Sequence, residues 1–282
     1  MKFGALFELT KPRLTFVALL TTLLGFMVGT DGPVNWTLFI HTMLGSALTG
    51  GGANALNEYL ERDIDARMRR TAGRPLPSGR VKPFHALMFG LVLAAGGTAY
   101  LYFFVNPLTA ACGALTLFTY VCVYTPMKSR TPFNTFVGAI PGALPPVMGI
   151  TAVTGHLGIP ALVLFSFLFV WQLPHFYSIA WIYREDYSQG GLRMIGGDGK
   201  AGHHLGWQIF LYSLLLIPVS LTPVYAGMAG QVYFFTALTS GVVFLTMACG
   251  MVIYRMAPAR RFMAASIIYL SALIVVMIAN RV

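Results

Sequence analysis

Nine apolar runs divide this chain, and each is about long enough to cross a lipid bilayer as a helix. A spanning helix needs about 20 mostly apolar residues. Charged residues make up only 10% of the 282 residues, against about 25% in soluble proteins. The sequence therefore predicts an all-α, polytopic membrane bundle with about nine transmembrane helices, in a single domain over 1–282. The runs lie at 13–30, 36–56, 84–105, 107–125, 133–153, 159–182, 207–228, 231–254 and 263–280.

The positive charges give this bundle an orientation. With a cytoplasmic N-terminus, all but one of the 19 Lys and Arg residues fall on the inner side, and only Arg281 lies outside. An excess of cations in the inner loops is the usual pattern of membrane proteins. The net charge of +10 is thus explained by topology and anion handling, and it gives no reason to expect a nucleic-acid partner.

The most charged stretch, 57–79, follows the second run and reads NEYLERDIDARMRRTAGRPLPSG. Asn57, Glu61 and Asp65 recur every fourth residue, so on a helix each is rotated by only about 40° from the last. Carboxylates among arginines suit an anion that arrives with a divalent metal. A diphosphate with Mg²⁺ is the obvious case, because Mg²⁺ combines a few carboxylates with phosphate oxygens and water. The alternative interpretation is a solvated, charge-patterned loop.

A second group of cations lies in the short inner loop YTPMKSRTP. Tyr124 and Lys128 are four residues apart, although Pro126 interferes with a regular helix at this point. Lys128 and Arg130 are expected on the same side of the membrane as the 57–79 stretch. They are therefore predicted to contact a diphosphate, with ordinary positive-inside residues as the alternative.

A second acidic site is predicted after the sixth run. Glu185 and Asp186 emerge on the same side as Glu61 and Asp65, so the two carboxylate groups could clamp one or two Mg²⁺ ions between them. Asn54 lies three residues before Asn57 and could join its face.

His175 is an ionisable residue inside the sixth run. Polar groups are expensive in lipid and are functional candidates for that reason. The alternative is a histidine that is hydrogen-bonded between helices.

Together these motifs resemble the UbiA superfamily of intramembrane prenyltransferases. The segment N-x-x-x-E-x-x-x-D followed by RRTAGRPLPSG is similar to its first signature, and Y-x-x-x-K at Tyr124 to its diphosphate-binding element. Glu61 stands where the superfamily usually has Asp. The second signature is generally D-x-x-x-D, whereas the equivalent window here, from Tyr183 to Tyr187, has only Glu185 and Asp186 as carboxylates.

The resemblance implies roles for these residues. Catalysis is assigned to Asn57, Glu61, Asp65, Lys128 and Asp186, and Mg²⁺ ligation to Asn57, Glu61, Asp65, Glu185 and Asp186. Substrate contacts are assigned to Asn54, Arg62, Arg67, Arg74, Tyr124, Arg130, His175, Tyr183, Glu185 and Tyr187. His175 would meet heme, and the cations would meet diphosphate oxygens.

The segments WQLPHFYSIAWIYREDYSQGGLRM and KSRTPFN…GALPPVMG resemble the heme-farnesylating branch of the superfamily. That branch implies transfer of a farnesyl group from farnesyl diphosphate to a vinyl group of heme B, with water addition, giving heme O. It also implies a bacterial inner membrane, a cytoplasmic active site and a link to heme A synthase or terminal oxidase assembly. The alternatives are a sister enzyme acting on an aromatic quinone precursor, or a membrane transporter. A transporter would place its charges near the bilayer midplane.

Overall fold

The structure, a computed structural model, describes residues 3–194 and 202–282, and all of its regular elements in these ranges are helical. The helices are α1 (Phe3–Leu9), α2 (Pro12–Val28), α3 (Trp36–Asp65), α4 (Pro83–Phe104), α5 (Pro107–Phe118), a π-helix (Thr119–Tyr124), α6 (Thr125–Met127), α7 (Asn134–Thr154), α8 (Ile159–Ile182), α9 (Arg184–Gly190), α10 (Gly202–Tyr225), α11 (Gln231–Ile253) and α12 (Ala259–Ala279).

Each apolar run corresponds to one long helix or to the continuous α5–π–α6 segment. Within the described ranges, seven helices have the length and composition to cross a membrane: α4, α5–α6, α7, α8, α10, α11 and α12. α2 is shorter at 17 residues, and α3 is long but carries Gly, Ser, Thr and His among its apolar residues. An all-helical membrane fold is therefore confirmed, while nine crossings and a cytoplasmic N-terminus remain predictions.

The helices pack into two groups that are joined by α7. α3 lies along α4, and α2 lies along α7; on the other side, α8 packs against α10 and α12, and α10 packs against α11. The largest apolar cluster is dominated by α7, α8 and α10–α12, with Phe167, Leu168 and Phe262 almost completely buried. The predicted acidic cluster of Asn57, Glu61 and Asp65 lies outside this apolar cluster, at the end of the bundle where α3 ends and α2 begins.

Close approach of α3 and α4 depends on glycine. A Cβ atom added at Gly97 would lie 2.5 Å from the backbone nitrogen of Thr49, whereas one added at the adjacent Gly96 would meet nothing within 4 Å. Backbone atoms cannot give way as a flexible side chain can, so the two helices would have to separate.

We therefore expect Gly97→Ala to destabilise the protein by about 1–3 kcal/mol, the usual range for overpacking a core. Gly96→Ala is the matched control and should leave stability unchanged or slightly higher, because Ala favours a helix. The thermal unfolding midpoints of the two variants in one detergent measure the difference. Equal midpoints would show that glycine does not set this helix contact.

Candidate active site

The inner wall of the site is the last part of α3. The helix continues unbroken through Asp65, so Asn57, Glu61 and Asp65 share one face as the sequence spacing requires. Asn57 and Asp65 are each only 1% exposed and Glu61 is 6% exposed. These side chains lie in a protein environment and do not form a solvated, charge-patterned loop.

Each of the three meets a cation that a different part of the chain supplies. Lys11 Nζ donates to Asn57 Oδ1 at 2.6 Å, and Lys128 Nζ lies 2.8 Å from Glu61 Oε1. The partner of Asp65 is Arg74, whose NH1 donates to Oδ2 at 2.6 Å. The α1–α2 junction, the α6–α7 loop and the loop after α3 therefore converge on one helix face.

Glu58 belongs to this cluster although the every-fourth-residue motif does not include it. It is 2% exposed, and its Oε1 lies 3.8 Å from Arg74 Nε. Its Oε2 is buried and has no hydrogen-bond partner among the described residues. An unpaired buried carboxylate oxygen is costly, so Glu58 offers a free acceptor beside the predicted metal ligands.

Lys11 is the second residue that the sequence analysis did not assign to the site. It is held in a left-handed backbone conformation, with φ of 48°, which is strained for a residue with a Cβ atom. Burial, followed by the charge of Arg74, lowers the pKa of Lys11 to about 8 against the opposing effect of Glu58. In the sequence Lys11 is indistinguishable from an ordinary inner-side cation, so no local signal could have singled it out.

The π-helix packs beside the last part of α3. Its extra residue per turn lets Thr125 donate to Tyr120 O at 2.8 Å while accepting from Asn57 Nδ2 at 3.0 Å. The rings of Tyr120 and Tyr124 stack with centroids 5.7 Å apart. Asn57 is therefore fixed at both ends of its amide, by Lys11 and by Thr125.

Lys128 is positioned by two groups at once. Its ammonium lies 4.6 Å from the centroid of the Tyr124 ring as well as against Glu61. Burial acts to lower the pKa of Lys128, but Tyr124 and Glu61 outweigh it, and the net pKa is raised. Lys128 therefore remains a cation, as a diphosphate contact requires.

The other predicted substrate contacts fall into two groups. Asn54 is part of the site's framework, because its Nδ2 donates to Thr10 O and Thr15 Oγ1 at 3.2 and 3.1 Å. Arg62 turns back onto its own helix, where it donates to Tyr59 O at 2.9 Å, and Arg67 donates to Asp63 O at 3.3 Å. Arg130 is exposed, and its backbone oxygen accepts from Arg193 NH1 at 3.4 Å.

The start of α9 brings two tyrosines, Tyr183 and Tyr187, near Arg70 at this end of the bundle. Arg70 lies 4.9 Å above the centroid of the Tyr183 ring. Burial raises the pKa of Tyr187, and Arg70 opposes that effect. Glu185 has a side chain that is 85% exposed and lies 3.6 Å from Arg184, and Asp186 is partly exposed. The predicted clamp, and the roles of Glu185 and Asp186 in it, remain predictions.

His175 lies away from the acidic cluster, between α8 and α12. Its Nδ1 is 2.6 Å from Ser266 Oγ, and its ring stacks on Trp171 at a centroid distance of 5.0 Å.

The donor set on α3 fits Mg²⁺. Within the ranges 3–194 and 202–282, no group of three or more His, Cys, Asp or Glu side chains could hold a metal ion alone. Mg²⁺ does not need such a cage, because it usually binds one or two carboxylates and takes its other ligands from substrate phosphates and water. The amide of Asn57, the carboxylates of Glu61 and Asp65 and the free Oε2 of Glu58 are hard oxygen donors of this kind.

The fold and site define a class: a helical membrane protein with a buried cluster of carboxylates and cations at one end of its bundle. More specifically, the chain belongs to the UbiA prenyltransferase family, whose family model matches residues 18–276. A relative from Solibacter usitatus (strain Ellin6076), named protoheme IX farnesyltransferase, is 43% identical over 284 residues, which cover 97% of each chain. A relative of the same name from Koribacter versatilis (strain Ellin345) is 42% identical over 97% of this chain and 92% of its own.

Solved structures share the fold. A digeranylgeranylglyceryl phosphate synthase superimposes with a TM-score of 0.82 at 15% identity, over 98% of this chain and 97% of that one. A UbiA homolog from Archaeoglobus fulgidus, bound to GPP and Mg²⁺, superimposes with a TM-score of 0.70 at 15% identity, over 95% and 99%. At such identities the likeness concerns the fold alone.

Proposed function

We propose that this protein transfers the farnesyl group of farnesyl diphosphate to a vinyl group of heme B, giving heme O and diphosphate. The observation that carries the proposal is the buried cluster on α3, where Asn57, Glu61 and Asp65 each meet a cation from another element. Such a cluster can receive a diphosphate and its metal together. The heme acceptor is supported by the names of relatives that match this chain over nearly its full length.

Binding of the diphosphate would rearrange the ion pairs. Lys128 and Arg74 now neutralise Glu61 and Asp65, and both can turn their donors to phosphate oxygens once the carboxylates have another cation to bind. Mg²⁺, when bound through Asn57, Glu61 and Asp65, would supply positive charge against the leaving group. Arg74 offers a forked set of donors and Lys128 a point charge. Lys11 adds a third cation beside Asn57.

The reaction breaks the bond between the first farnesyl carbon and its diphosphate oxygen. The positioned cations stabilise the charge that develops on the departing diphosphate. The terminal carbon of the heme vinyl group bonds to the farnesyl carbon, and the adjacent carbon, stabilised by the porphyrin, takes up water. Loss of one proton from that water gives the hydroxyethylfarnesyl group. Apolar helices around the isoprenoid would keep water from the farnesyl cation before transfer.

The proposal includes the setting of the reaction. The protein would lie in a bacterial inner membrane, with the acidic cluster on the cytoplasmic side, as the distribution of Lys and Arg predicts. The bilayer holds the farnesyl diphosphate, and the product would pass to a heme A synthase or to terminal oxidase assembly.

Heme extraction from membranes tests this function. A bacterial host without its own heme O activity, expressing the chain, is expected to accumulate heme O at the expense of heme B, as measured by liquid chromatography and mass spectrometry. The empty vector is the control. Unchanged heme, together with a prenylated aromatic acid in the same membranes, would favour the sister enzyme that acts on a quinone precursor.

A further inference from the structure

His175 is held in one orientation by contacts between α8 and α12. Trp171, one helical turn earlier, donates from its indole nitrogen to Ser266 O at 2.9 Å. The imidazole lies nearly parallel to that indole, at 16°, and its Nδ1 is 2.6 Å from Ser266 Oγ. Indole and serine together fix both the plane and the rotation of the imidazole ring.

The hydrogen bonds of Ser266 also determine which ring nitrogen of His175 carries the proton. A serine hydroxyl has one hydrogen to donate, and Ser266 Oγ donates it to Met263 O at 2.6 Å. Both contacts of Ser266 are satisfied when the serine accepts from His175, which places the hydrogen on Nδ1. The neutral imidazole then has its lone pair on Nε2. Nε2 makes no hydrogen bond to any residue in the described ranges 3–194 and 202–282.

We infer that His175 Nε2 is the axial ligand that binds the iron of the heme substrate, and that Ser266 is its positioning residue. This inference rests on the proposed function, because heme B is the substrate with an iron to ligate. Histidines that bind metals usually donate their other ring hydrogen to a nearby oxygen, which fixes the tautomer and strengthens the ligand. The pair His175–Ser266 has this arrangement.

A second histidine in an apolar helix provides a comparison. His41 of α3 has its Nδ1 2.7 Å from the hydroxyl of Tyr100 and stacks on Phe104. The Tyr100 hydroxyl makes no other hydrogen bond among the described residues, so it can donate to His41 or accept from it. The proton of His41 is therefore not fixed, and His41 is the matched control for a histidine that only packs between helices.

The test is a titration of detergent-purified protein with hemin, followed by absorption and electron paramagnetic resonance spectra. Wild type and His41→Ala are expected to bind hemin saturably, with the spectrum of a histidine-ligated iron. His175→Ala should lose that spectrum. Ser266→Ala should weaken hemin binding by about 10- to 100-fold, the usual effect of losing the partner of a metal ligand. Ser266→Thr keeps the hydroxyl and should restore binding.

Two results would overturn the assignment: hemin binding that does not saturate in wild type, or a wild-type spectrum in His175→Ala. If His175→Ala does not fold, as judged by size-exclusion chromatography, the comparison of Ser266→Ala with Ser266→Thr decides in its place. Equal hemin affinity in those two variants would then overturn the assignment.

The same preparations are assayed for heme O formation, which separates this inference from the proposed function. If wild type produces heme O but the hemin spectrum is unaltered in His175→Ala, only the ligand role of His175 is removed. Wild-type protein that farnesylates another acceptor but not heme B removes the proposed function itself.

Discussion

Asp65→Asn is expected to lower the rate of farnesyl transfer by more than about 100-fold. Loss of even a residue that only hydrogen-bonds to a metal ligand lowers metal affinity or activity by about 10- to 100-fold, and Asp65 is itself a proposed ligand. Asn has the shape of Asp but lacks the negative charge that binds Mg²⁺ and pairs with Arg74 at 2.6 Å. The fold should persist, because Arg74 still faces Glu58 and the main-chain oxygen of residue 65 still accepts from Thr71. Turnover by purified protein, with size-exclusion chromatography as the check on folding, measures the effect.

Asp63→Asn is the matched control for this variant. Asp63 is two residues away on the same helix, but its side chain is 82% exposed and lies 3.7 Å from Arg62. Its loss should change neither turnover nor stability, since exposed ion pairs contribute little. Equal activity of the two variants would remove Asp65 from the metal site.

Removal of divalent metal should abolish activity completely, and added Mg²⁺ should restore it. The oxygen donors of Asn57, Glu61 and Asp65 suit hard cations. Glu61 and Asp65 pair with Lys128 and Arg74. A metal that binds these carboxylates would leave both cations to the diphosphate, and without it the carboxylates would repel farnesyl diphosphate. Turnover and farnesyl diphosphate binding after EDTA treatment, with and without added Mg²⁺, test this account. Full activity after exhaustive chelation would show that the cations alone handle the diphosphate.

The sequence predicted those parts of the site that depend on local spacing. Asn57, Glu61 and Asp65 lie on one face because residues four apart on a helix point in nearly the same direction. That spacing can be read directly from the sequence. Tyr124 and Lys128 meet for a similar reason. Pro126 does not prevent this contact, because the chain stays helical from Thr119 through Met127.

The parts that depend on tertiary structure could not be predicted. Glu58 is rotated by about 100° from Asn57 on α3, and only the return of Arg74 toward the helix makes Glu58 part of the cluster. Lys11 reaches Asn57 across 46 residues of sequence. Glu61 is buried and Glu185 is exposed because of the way the helices pack. The sequence alone places both carboxylates on the inner side and cannot distinguish them.

The proposed function requires that the acceptor is heme. In the most direct measurement, purified protein is reconstituted in lipid vesicles with Mg²⁺ and farnesyl diphosphate. It is then offered equal amounts of heme B and 4-hydroxybenzoate, and the products are identified by mass spectrometry. The expected product is a heme that carries one farnesyl group and one hydroxyl group, whose oxygen comes from isotopically labelled water. The aromatic acid should be unchanged. A farnesylated 4-hydroxybenzoate beside unreacted heme B would contradict the proposed function.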